Sequence, residues 1–420
     1  MAELRFEGEI YSFSKRQEEL LRKVLKGRGY TDNKVIIETV GEAGDNYIAN
    51  VKRIIVEEKD GHTFKMIAKV APTNNMARAQ VQPHMLFKNE GIMYTVILPK
   101  FEELQKSAGV PIEDRLRYAK CYGLILHAPE EIILLEDLQV LNFGILDRFK
   151  SLTNESIKLI LKNFAILHSL SMVLKKQEPD VFEDYNNKLS DYYAAFANTP
   201  EFKLYIAGIE NDSIEILDKT MYKNAIRGSI SKMPEVYAKV AKNESKLKYS
   251  VIIQGDGWTN NIMFKLEQEK PLEAIMIDYQ LSKVSNPVSD ILYMLFNCTD
   301  YANRHAHYHD WIDYYHMQLQ KSLDYFDLKV ELIFSRDQLD ADLKRYSKLF
   351  MGNAIMVSTI IIRKSEDAAK LKESMETEAN EIEEAMAKMH ISNLDQESVS
   401  VFKSRIEGLV DSYRELGYMA

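Results

Sequence analysis

Residues 250–265 have the sequence SVIIQGDGWTNNIMFK, and this stretch is the most informative part of the chain. An apolar run leads into Gly-Asp-Gly, and Asn261 follows Asp256 five positions later, directly before a second apolar run. Short apolar runs on either side of a glycine-containing turn are typical of two strands joined by a loop. The stretch therefore predicts a loop between short strands that holds a carboxylate and an amide.

A third polar residue follows the next apolar run. Asp278 comes directly after AIMI, which is typical of a buried strand. An Asp, an Asn five residues later and a further Asp at a strand end match the layout used for phosphoryl transfer, in which one acid accepts a proton and two side chains hold magnesium. On this pattern Asp256 is the candidate base. Asn261 and Asp278 are the candidate Mg²⁺ ligands, because hard cations prefer oxygen.

The first part of the chain contains candidates for contacts with nucleotide phosphates. Lys69 lies in FKMIAKV, which alternates as a strand does, and Glu90 lies in the helical pattern that follows. A strand lysine paired with a helix glutamate is the arrangement that holds an ammonium group against phosphates. The turn at 40–47, with Gly44 and Asn46, would fold over these phosphates, although it is not a GxGxxG loop.

The order of predicted elements indicates two lobes. Three predicted strands rich in Val and Ile lie in the first part of the chain, at 34–40, 47–58 and 62–71. The segment KDGH between the last two is typical of a hairpin turn, so we expect an antiparallel sheet. Beyond residue 140 helical patterns dominate, starting with a helix for which Asn154 is the predicted N-cap, and only 250–278 returns to short strands. We expect an N-terminal sheet lobe over 1–138 and a larger, mostly helical C-terminal lobe over 139–420.

Composition excludes several classes of protein. A chain of 420 residues exceeds what one hydrophobic core usually supports, and a net charge of -9 argues against a large nucleic-acid surface. Two cysteines are too few for a disulfide framework, and no CxxC pair indicates zinc. The N-terminal residues lack the pattern of a signal peptide, and the apolar stretch FMGNAIMVSTIII is too short to span a bilayer. We expect a cytoplasmic protein with small-molecule partners and no membrane insertion, and the oligomeric state stays open.

The motifs together resemble one known family. GEAGDNY, IAKV, KNEGIMY, LLEDL, FAILHSLS, QGDGWTNNIMF and IDYQLSKVSNPVSDILYML are similar to the ecdysteroid-kinase-like, or CHK kinase-like, family within the choline and aminoglycoside kinase group. The resemblance extends from about residue 41 to the C-terminal tail. It implies an α+β, bilobal, protein-kinase-like fold, ATP and Mg²⁺ as cofactors, and an ecdysteroid or related lipophilic alcohol as acceptor. It also assigns Glu136, Asp137 and Leu138 to the hinge that binds adenine.

One departure from the family keeps a second function open. The family usually has His before Gly-Asp, where this chain has Gln254. Gln can replace some hydrogen bonds of His but not the packing of its ring. The alternative is a kinase-fold protein that binds nucleotide or a small lipophilic ligand and has lost efficient catalysis. Retention of Asp256, Asn261 and Asp278 favours the kinase.

Other patterns are interpreted as structural. His168 lies on the apolar face of its helix and is expected to be a core residue with its hydrogen bonds satisfied. Asp290, shortly after Pro287, is expected to cap or brace the catalytic loop. The helical apolar stripe at 355–361 is interpreted as core.

Overall fold

The computed structural model describes residues 3–41, 49–242, 244–374 and 391–419. Over these residues the chain has the expected α+β, bilobal architecture, with a sheet-based N-terminal lobe and a larger helical C-terminal lobe. Gly44 and Asn46, which were predicted to contact phosphates, lie outside the described residues.

A mixed sheet covered by helices forms the N-terminal lobe. Its strands are β1 (Arg5–Gly8), β2 (Lys34–Thr39), β3 (Asn50–Glu57), β4 (Thr63–Val70), β5 (Cys121–Ile125) and β6 (Ile132–Glu136). Its described helices are α1 (Lys15–Gly27), α2 (Asn75–Val81), α3 (Pro83–Ile92) and α4 (Leu98–Ser107), and a π-helical turn over Met93–Ile97 joins the last two. The sheet order is β1-β2-β3-β4-β6-β5. Its neighbouring strands are antiparallel except β1 and β2, which are parallel.

Alternation along the strands determines which side chains face the core of this lobe. Val35 and Ile37 of β2 are buried in one hydrophobic cluster with Leu21 of α1 and Ala68 of β4. Successive residues of a strand point to opposite faces of the sheet. Lys69, the residue after Ala68, therefore points away from this cluster and toward α3, where it donates a hydrogen bond to Glu90.

The C-terminal lobe is mostly helical. Its described helices are α5 (Asn154–Gln177), α6 (Pro179–Lys188), α7 (Tyr192–Phe196), α8 (Pro200–Ile216), α9 (Thr220–Ile226), α10 (Met233–Ala241), α11 (Val288–Cys298), α12 (Tyr301–Asp324), α13 (Val330–Ile333), α14 (Arg336–Ile361), α15 (Ser365–Ser374) and α16 (Gln396–Glu415). Its strands are β7 (Phe143–Ile145), β8 (Val251–Ile253), β9 (Ile262–Glu267), β10 (Lys270–Met276) and β11 (Lys283–Ser285).

Two small antiparallel sheets carry the polar loops of this lobe. Their orders are β10-β9-β7 and β11-β8. The prediction that strands return only within 250–278 is wrong, because β7 and β11 lie outside that range. Each has three residues, too few for a periodic pattern to be visible in the sequence. The pairing of Lys283 with Ile253 places the loop after β8 beside the segment that follows Asp278.

Helix α5 is the central helix of the C-terminal lobe and packs along α12, α6, β8 and β10. Among the described residues it is the one helix long and apolar enough to cross a membrane, and 78% of its most apolar window is buried inside the protein. Its N-cap is Thr153, whose side chain accepts a hydrogen bond from the Ser156 N–H. The prediction of Asn154 as N-cap is therefore wrong by one residue. Asn154 instead accepts a hydrogen bond from the indole of Trp311.

Replacing a core leucine of α5 should destabilise the protein strongly. Leu167 is fully buried, so Leu167→Ala should lower the free energy of unfolding by about 2–5 kcal/mol through lost burial and a residual cavity. Leu332→Ala is the matched control, since Leu332 is 76% exposed. Urea unfolding followed by circular dichroism measures both variants. Equal effects in the two variants would contradict the assignment of α5 to the core.

Candidate active site

The loop between β8 and β9 is shaped by two glycines. Gly255 has a φ of 86°, and a Cβ there would lie 2.4 Å from the carbonyl oxygen of Leu281. A side chain at this position would therefore strain the backbone and clash with the neighbouring segment. At Gly257 a Cβ would lie 2.7 Å from the ring of Phe164 on α5. The loop thus lies close against both the turn that precedes β11 and the central helix α5.

Asp256 is a buried carboxylate held by two hydrogen-bond donors. Its Oδ2 accepts a hydrogen bond from Asn261 Nδ2 at 2.8 Å, and its Oδ1 accepts one from the hydroxyl of Tyr293 on α11. Burial, with a further contribution from the charge of Asp278, raises the pKa of Asp256 to about 7. A carboxyl group with a pKa in this range is suited to accept a proton from a hydroxyl group. The sequence did not indicate Tyr293, which is one of many tyrosines in apolar helical patterns.

Lys69 joins the two lobes electrostatically. Its Nζ lies 2.7 Å from Glu90 Oε2 on α3 and 2.7 Å from Asp278 Oδ1. Burial lowers the pKa of Lys69, but the charges of Asp278 and Glu90 outweigh that effect and raise it above its ordinary value. Lys69 is therefore a cation at neutral pH. The structure thus brings together the strand lysine, the helix glutamate and the strand-end aspartate that the sequence had selected.

The two candidate magnesium ligands are neighbours in the structure. The backbone N–H of Ile277 donates to the carbonyl oxygen of Asn261 at 2.9 Å, which places Asp278 beside Asn261. Asn261 uses its Nδ2 on Asp256, so its Oδ1 is the atom suited to a cation. Within the described ranges, no group of three or more His, Cys, Asp or Glu side chains could hold a metal. One amide oxygen and one carboxylate fit Mg²⁺, which usually keeps waters and binds substrate phosphates in addition to one or two protein ligands.

Gln254 forms hydrogen bonds that connect the loop to the segment that holds Asp278. Its Nε2 donates to the carbonyl oxygens of Ile277 and Asp278, both at 3.0 Å, and its Oε1 accepts from the Asp256 N–H at 2.6 Å. The side chain is fully buried. Gln254 therefore braces the backbone on both sides of the site.

A second brace lies beneath the loop. Asp290 accepts hydrogen bonds from the backbone N–H groups of Gln254 and Gly255, each at 2.9 Å. His168 is 3.0 Å from the same carboxylate through Nε2, and its Nδ1 is 2.9 Å from the hydroxyl of Tyr315. The predictions of Asp290 as a brace and His168 as a satisfied core residue are confirmed. His168 also orients Asp290, which its position on an apolar helical face did not indicate.

The hinge residues have structural contacts of their own. Asp137 is buried, accepts a hydrogen bond from Arg53 Nε at 2.7 Å, and caps the turn that begins at Leu138. Glu136 ends β6 and accepts a hydrogen bond from the backbone N–H of Lys120 at 3.2 Å. These contacts support the backbone between the lobes. Contact of this hinge with adenine stays a prediction, as does the lobe boundary after residue 138.

A cavity of about 500 Å³ adjoins these groups. Lys69, Asp256, Asn261 and Asp278 all line it. Most of its other walls are aromatic or aliphatic and include Tyr193, Phe202, Tyr205, Val240, Phe350 and Met356. This volume is within the range of about 300–1,000 Å³ that is usual for small-molecule sites.

Helix α14 contributes to both the core and the cavity. The stripe at 355–361 was interpreted as core, and this is correct for Ile355 and Ile361, which are buried. Met356 and Ile360 instead line the cavity. Periodicity identified the apolar face of this helix but not the part of it that borders open space.

A polar cluster around Lys283 forms part of the cavity wall. Lys283 Nζ donates to Asp191 Oδ2 at 3.1 Å and also to the hydroxyl of Tyr237, which itself donates to Asp191. Burial raises the pKa of Tyr237 well above its usual range, so the hydroxyl stays protonated. An ammonium group has three hydrogens, and these two contacts leave one that can reach a ligand. The sequence did not indicate this cluster, because its members lie far apart along the chain.

Comparison with known proteins identifies one family. The family model described as ecdysteroid kinase-like matches residues 43–328. This segment is shorter than the resemblance in the motifs, which extends to the C-terminal tail. Comparison with curated proteins gave no match.

Solved structures with similarity to the chain include two small-molecule kinases. An ethanolamine kinase of Plasmodium vivax has 13% identity and a TM-score of 0.42, with 94% of this chain and 89% of that chain covered. The GDP complex of wild-type aminoglycoside 2'-phosphotransferase-IIIa has 13% identity and a TM-score of 0.39, with 87% of this chain and 92% of that chain covered.

Truncation of Gln254 should destabilise the site. Gln254→Ala leaves two carbonyl oxygens and one N–H without their partner, and each polar group that water cannot reach costs about 1–3 kcal/mol. We expect a lower free energy of unfolding, measured by urea denaturation. Gln396→Ala, at an exposed position, should change it by less than about 0.5 kcal/mol. If the two variants are equally stable, the bracing role of Gln254 is wrong.

Proposed function

The chain belongs to the ecdysteroid kinase-like family, and on this basis we propose that it is an ATP-dependent kinase that phosphorylates a hydroxyl group of a lipophilic small molecule, an ecdysteroid or related alcohol. The observation that carries the proposal is the position of Asp256. This carboxylate lines an apolar cavity together with Lys69 and Asp278. A proton acceptor, a phosphate-binding cation and a metal ligand thus face one space that can hold an acceptor.

The proposed reaction needs positioning and charge neutralisation more than covalent chemistry. The acceptor hydroxyl oxygen attacks the γ-phosphorus, the bond from this phosphorus to the β–γ bridging oxygen breaks, and ADP leaves. The hydroxyl proton passes to Asp256, whose second oxygen stays oriented by Asn261. Lys69 pairs with the phosphates and is oriented by Glu90. Mg²⁺, held by Asn261 and Asp278, would neutralise charge on the phosphate oxygens.

The walls of the cavity support a lipophilic acceptor. Aromatic and aliphatic side chains gain free energy by covering apolar surface, at about 25 cal/mol per Å² removed from water. Lys283 offers a hydrogen to an oxygen atom of a bound molecule. A largely apolar alcohol with additional oxygen atoms matches both properties. The choice of ecdysteroids within this class rests on the family.

The contacts of Gln254 support the kinase over the binding-protein alternative. This alternative was motivated by Gln in place of His, yet the Gln254 side chain bonds to three backbone groups of the site. The loop is thus braced without an imidazole at position 254.

Substitution of the proposed base should abolish transfer selectively. Asp256→Asn keeps the shape of the side chain but removes its ability to accept a proton, so the rate should fall by about 10²–10⁴-fold. The assay incubates the protein with ATP, Mg²⁺ and a panel of ecdysteroids, other steroid alcohols and xenobiotic alcohols, and detects phosphate esters by mass spectrometry. Asp313→Asn, at an exposed position, is the matched control.

The outcomes separate the two functions. Undiminished transfer by Asp256→Asn would show that Asp256 is not the base. Nucleotide binding without transfer by the wild type on the whole panel, together with transfer by Gln254→His, would establish the binding-protein alternative.

Filling the cavity should separate acceptor binding from nucleotide binding. Val240 lines the cavity, so Val240→Trp should reduce transfer to the acceptors found above by at least about tenfold, through steric exclusion. Nucleotide affinity, measured by calorimetry with ATP and Mg²⁺, should stay within about twofold because Lys69 and Asp278 are unchanged. Val401→Trp, at a position that is 42% exposed, is the control. Unimpaired transfer by Val240→Trp would place the acceptor elsewhere.

A further inference from the structure

We propose that Asn89 is a positioning residue that couples the nucleotide-phosphate groups to the wall of the acceptor cavity. Asn89 precedes Glu90 on α3 and is fully buried. The proposal rests on the proposed kinase function, since it concerns how the two substrates of that reaction are placed relative to each other.

The amide of Asn89 joins two separate segments of the chain to α3. Its Nδ2 lies 2.8 Å from the carbonyl oxygen of Ser190, 3.2 Å from that of Gln280 and 3.3 Å from that of Ser282. Its Oδ1 accepts a hydrogen bond from the Ser190 N–H at 2.8 Å. One side chain therefore satisfies both backbone polar groups of Ser190 and contacts the segment that follows Asp278.

The first of these segments forms part of the cavity wall. We call residues 190–196 the strap. The strap is bound at three consecutive residues, because Ser190 bonds to α3, Asp191 to Lys283 of β11, and the Tyr192 hydroxyl to the carbonyl oxygen of Val81 at the end of α2. It thus connects helices of the N-terminal lobe to a strand of the C-terminal lobe.

Side chains of the strap face the proposed acceptor. Asp191, Tyr192, Tyr193 and Phe196 all line the cavity. Tyr193 also packs its ring against Tyr237, with 4.5 Å between ring centroids, and so extends the strap into the wall formed by α10. A displacement of the strap would therefore change the shape of the cavity.

The second segment belongs to the nucleotide side of the site. Gln280 and Ser282 follow Asp278 closely in the chain, and Glu90, the neighbour of Asn89, holds Lys69. A nucleotide that engages Lys69 and Asp278 must hold α3 and this segment in one relative position. Asn89, on α3, is hydrogen-bonded to the backbone of Ser190, so fixing α3 in this position also fixes Ser190. Occupancy of the nucleotide site therefore orders the strap.

Hydrogen exchange tests this coupling directly. Wild type, Asn89→Ala and Asn163→Ala are compared with and without the non-hydrolysable ATP analogue AMP-PNP and Mg²⁺. Asn163 is the matched control, because its Nδ2 donates to a single carbonyl oxygen, that of Ala274. In the wild type and the control, the analogue should slow exchange both at 254–261 and in the strap. In Asn89→Ala the slowing at 254–261 should persist, whereas the strap should lose its slowing, which we expect to be about fivefold or more.

The nucleotide-dependent change distinguishes coupling from a purely structural role, since a structural loss would speed exchange equally with and without the analogue. Should Asn89→Ala not fold, Asn89→Asp keeps the oxygen that accepts from the Ser190 N–H and removes the Nδ2 donor, and the same loss is expected. The coupling is overturned if the analogue still slows exchange in the strap of the variant. It is also overturned if, in the wild type, the analogue slows exchange at 254–261 but not in the strap. Either result leaves the kinase proposal standing. No slowing in either region of the wild type overturns both.

Discussion

Lys69 is a charged side chain in the protein interior, and two carboxylates from different parts of the chain neutralise it. Glu90 lies 21 residues away, on α3, whereas Asp278 lies 209 residues away, after β10. A charge removed from water is tolerated only with opposite charges and hydrogen bonds around it, and removal of one partner from a buried pair costs about 3–5 kcal/mol. The pairing therefore limits how β4, α3 and the loop after β10 can lie relative to one another.

A network of buried polar groups maintains the loop between β8 and β9 in a single arrangement. Asp290 binds the backbone of Gln254 and Gly255 from below, and the Gln254 side chain extends across to the carbonyl oxygens that flank Asp278. Groups buried in a low dielectric strengthen one another when all are satisfied, and they are costly when one is missing. Such a network suits a site whose proposed chemistry depends on positioned charges, because a preorganised site needs no rearrangement during the reaction. The same rigidity explains how a chain with Gln at position 254 keeps Asp256 and Asn261 in contact.

The apolar cavity gives this polar site its proposed selectivity. Phosphoryl transfer competes with hydrolysis wherever water reaches the γ-phosphate, so walls that exclude water favour transfer to an enclosed alcohol. These walls come from α7, α8, α10 and α14, whereas the charged groups come from β4, the loop after β8 and the segment after β10. The strap, which includes α7, is part of these walls and bonds to both lobes. Under the proposed coupling through Asn89, the position of this part of the acceptor wall depends on the nucleotide side of the site.

Sequence alone was sufficient to predict the two-lobe α+β architecture, the strands β2 to β4 and the family. It was also sufficient to select the residues around Lys69 and Asp278. Each of these follows from a pattern that can be seen in the sequence itself: alternation within a strand, the spacing of five between Asp256 and Asn261, or the order of short motifs. Tertiary structure alone showed that Tyr293 binds Asp256, that Asn89 binds Ser190, and that α14 divides its apolar face between core and cavity. It also revealed the strands β7 and β11, which are too short for periodicity. These features could not be predicted because they depend on contacts between residues far apart in the chain, such as 37 positions for Tyr293 and Asp256 and 101 for Asn89 and Ser190. A single sequence shows the chemistry of each partner but not which partners are in contact.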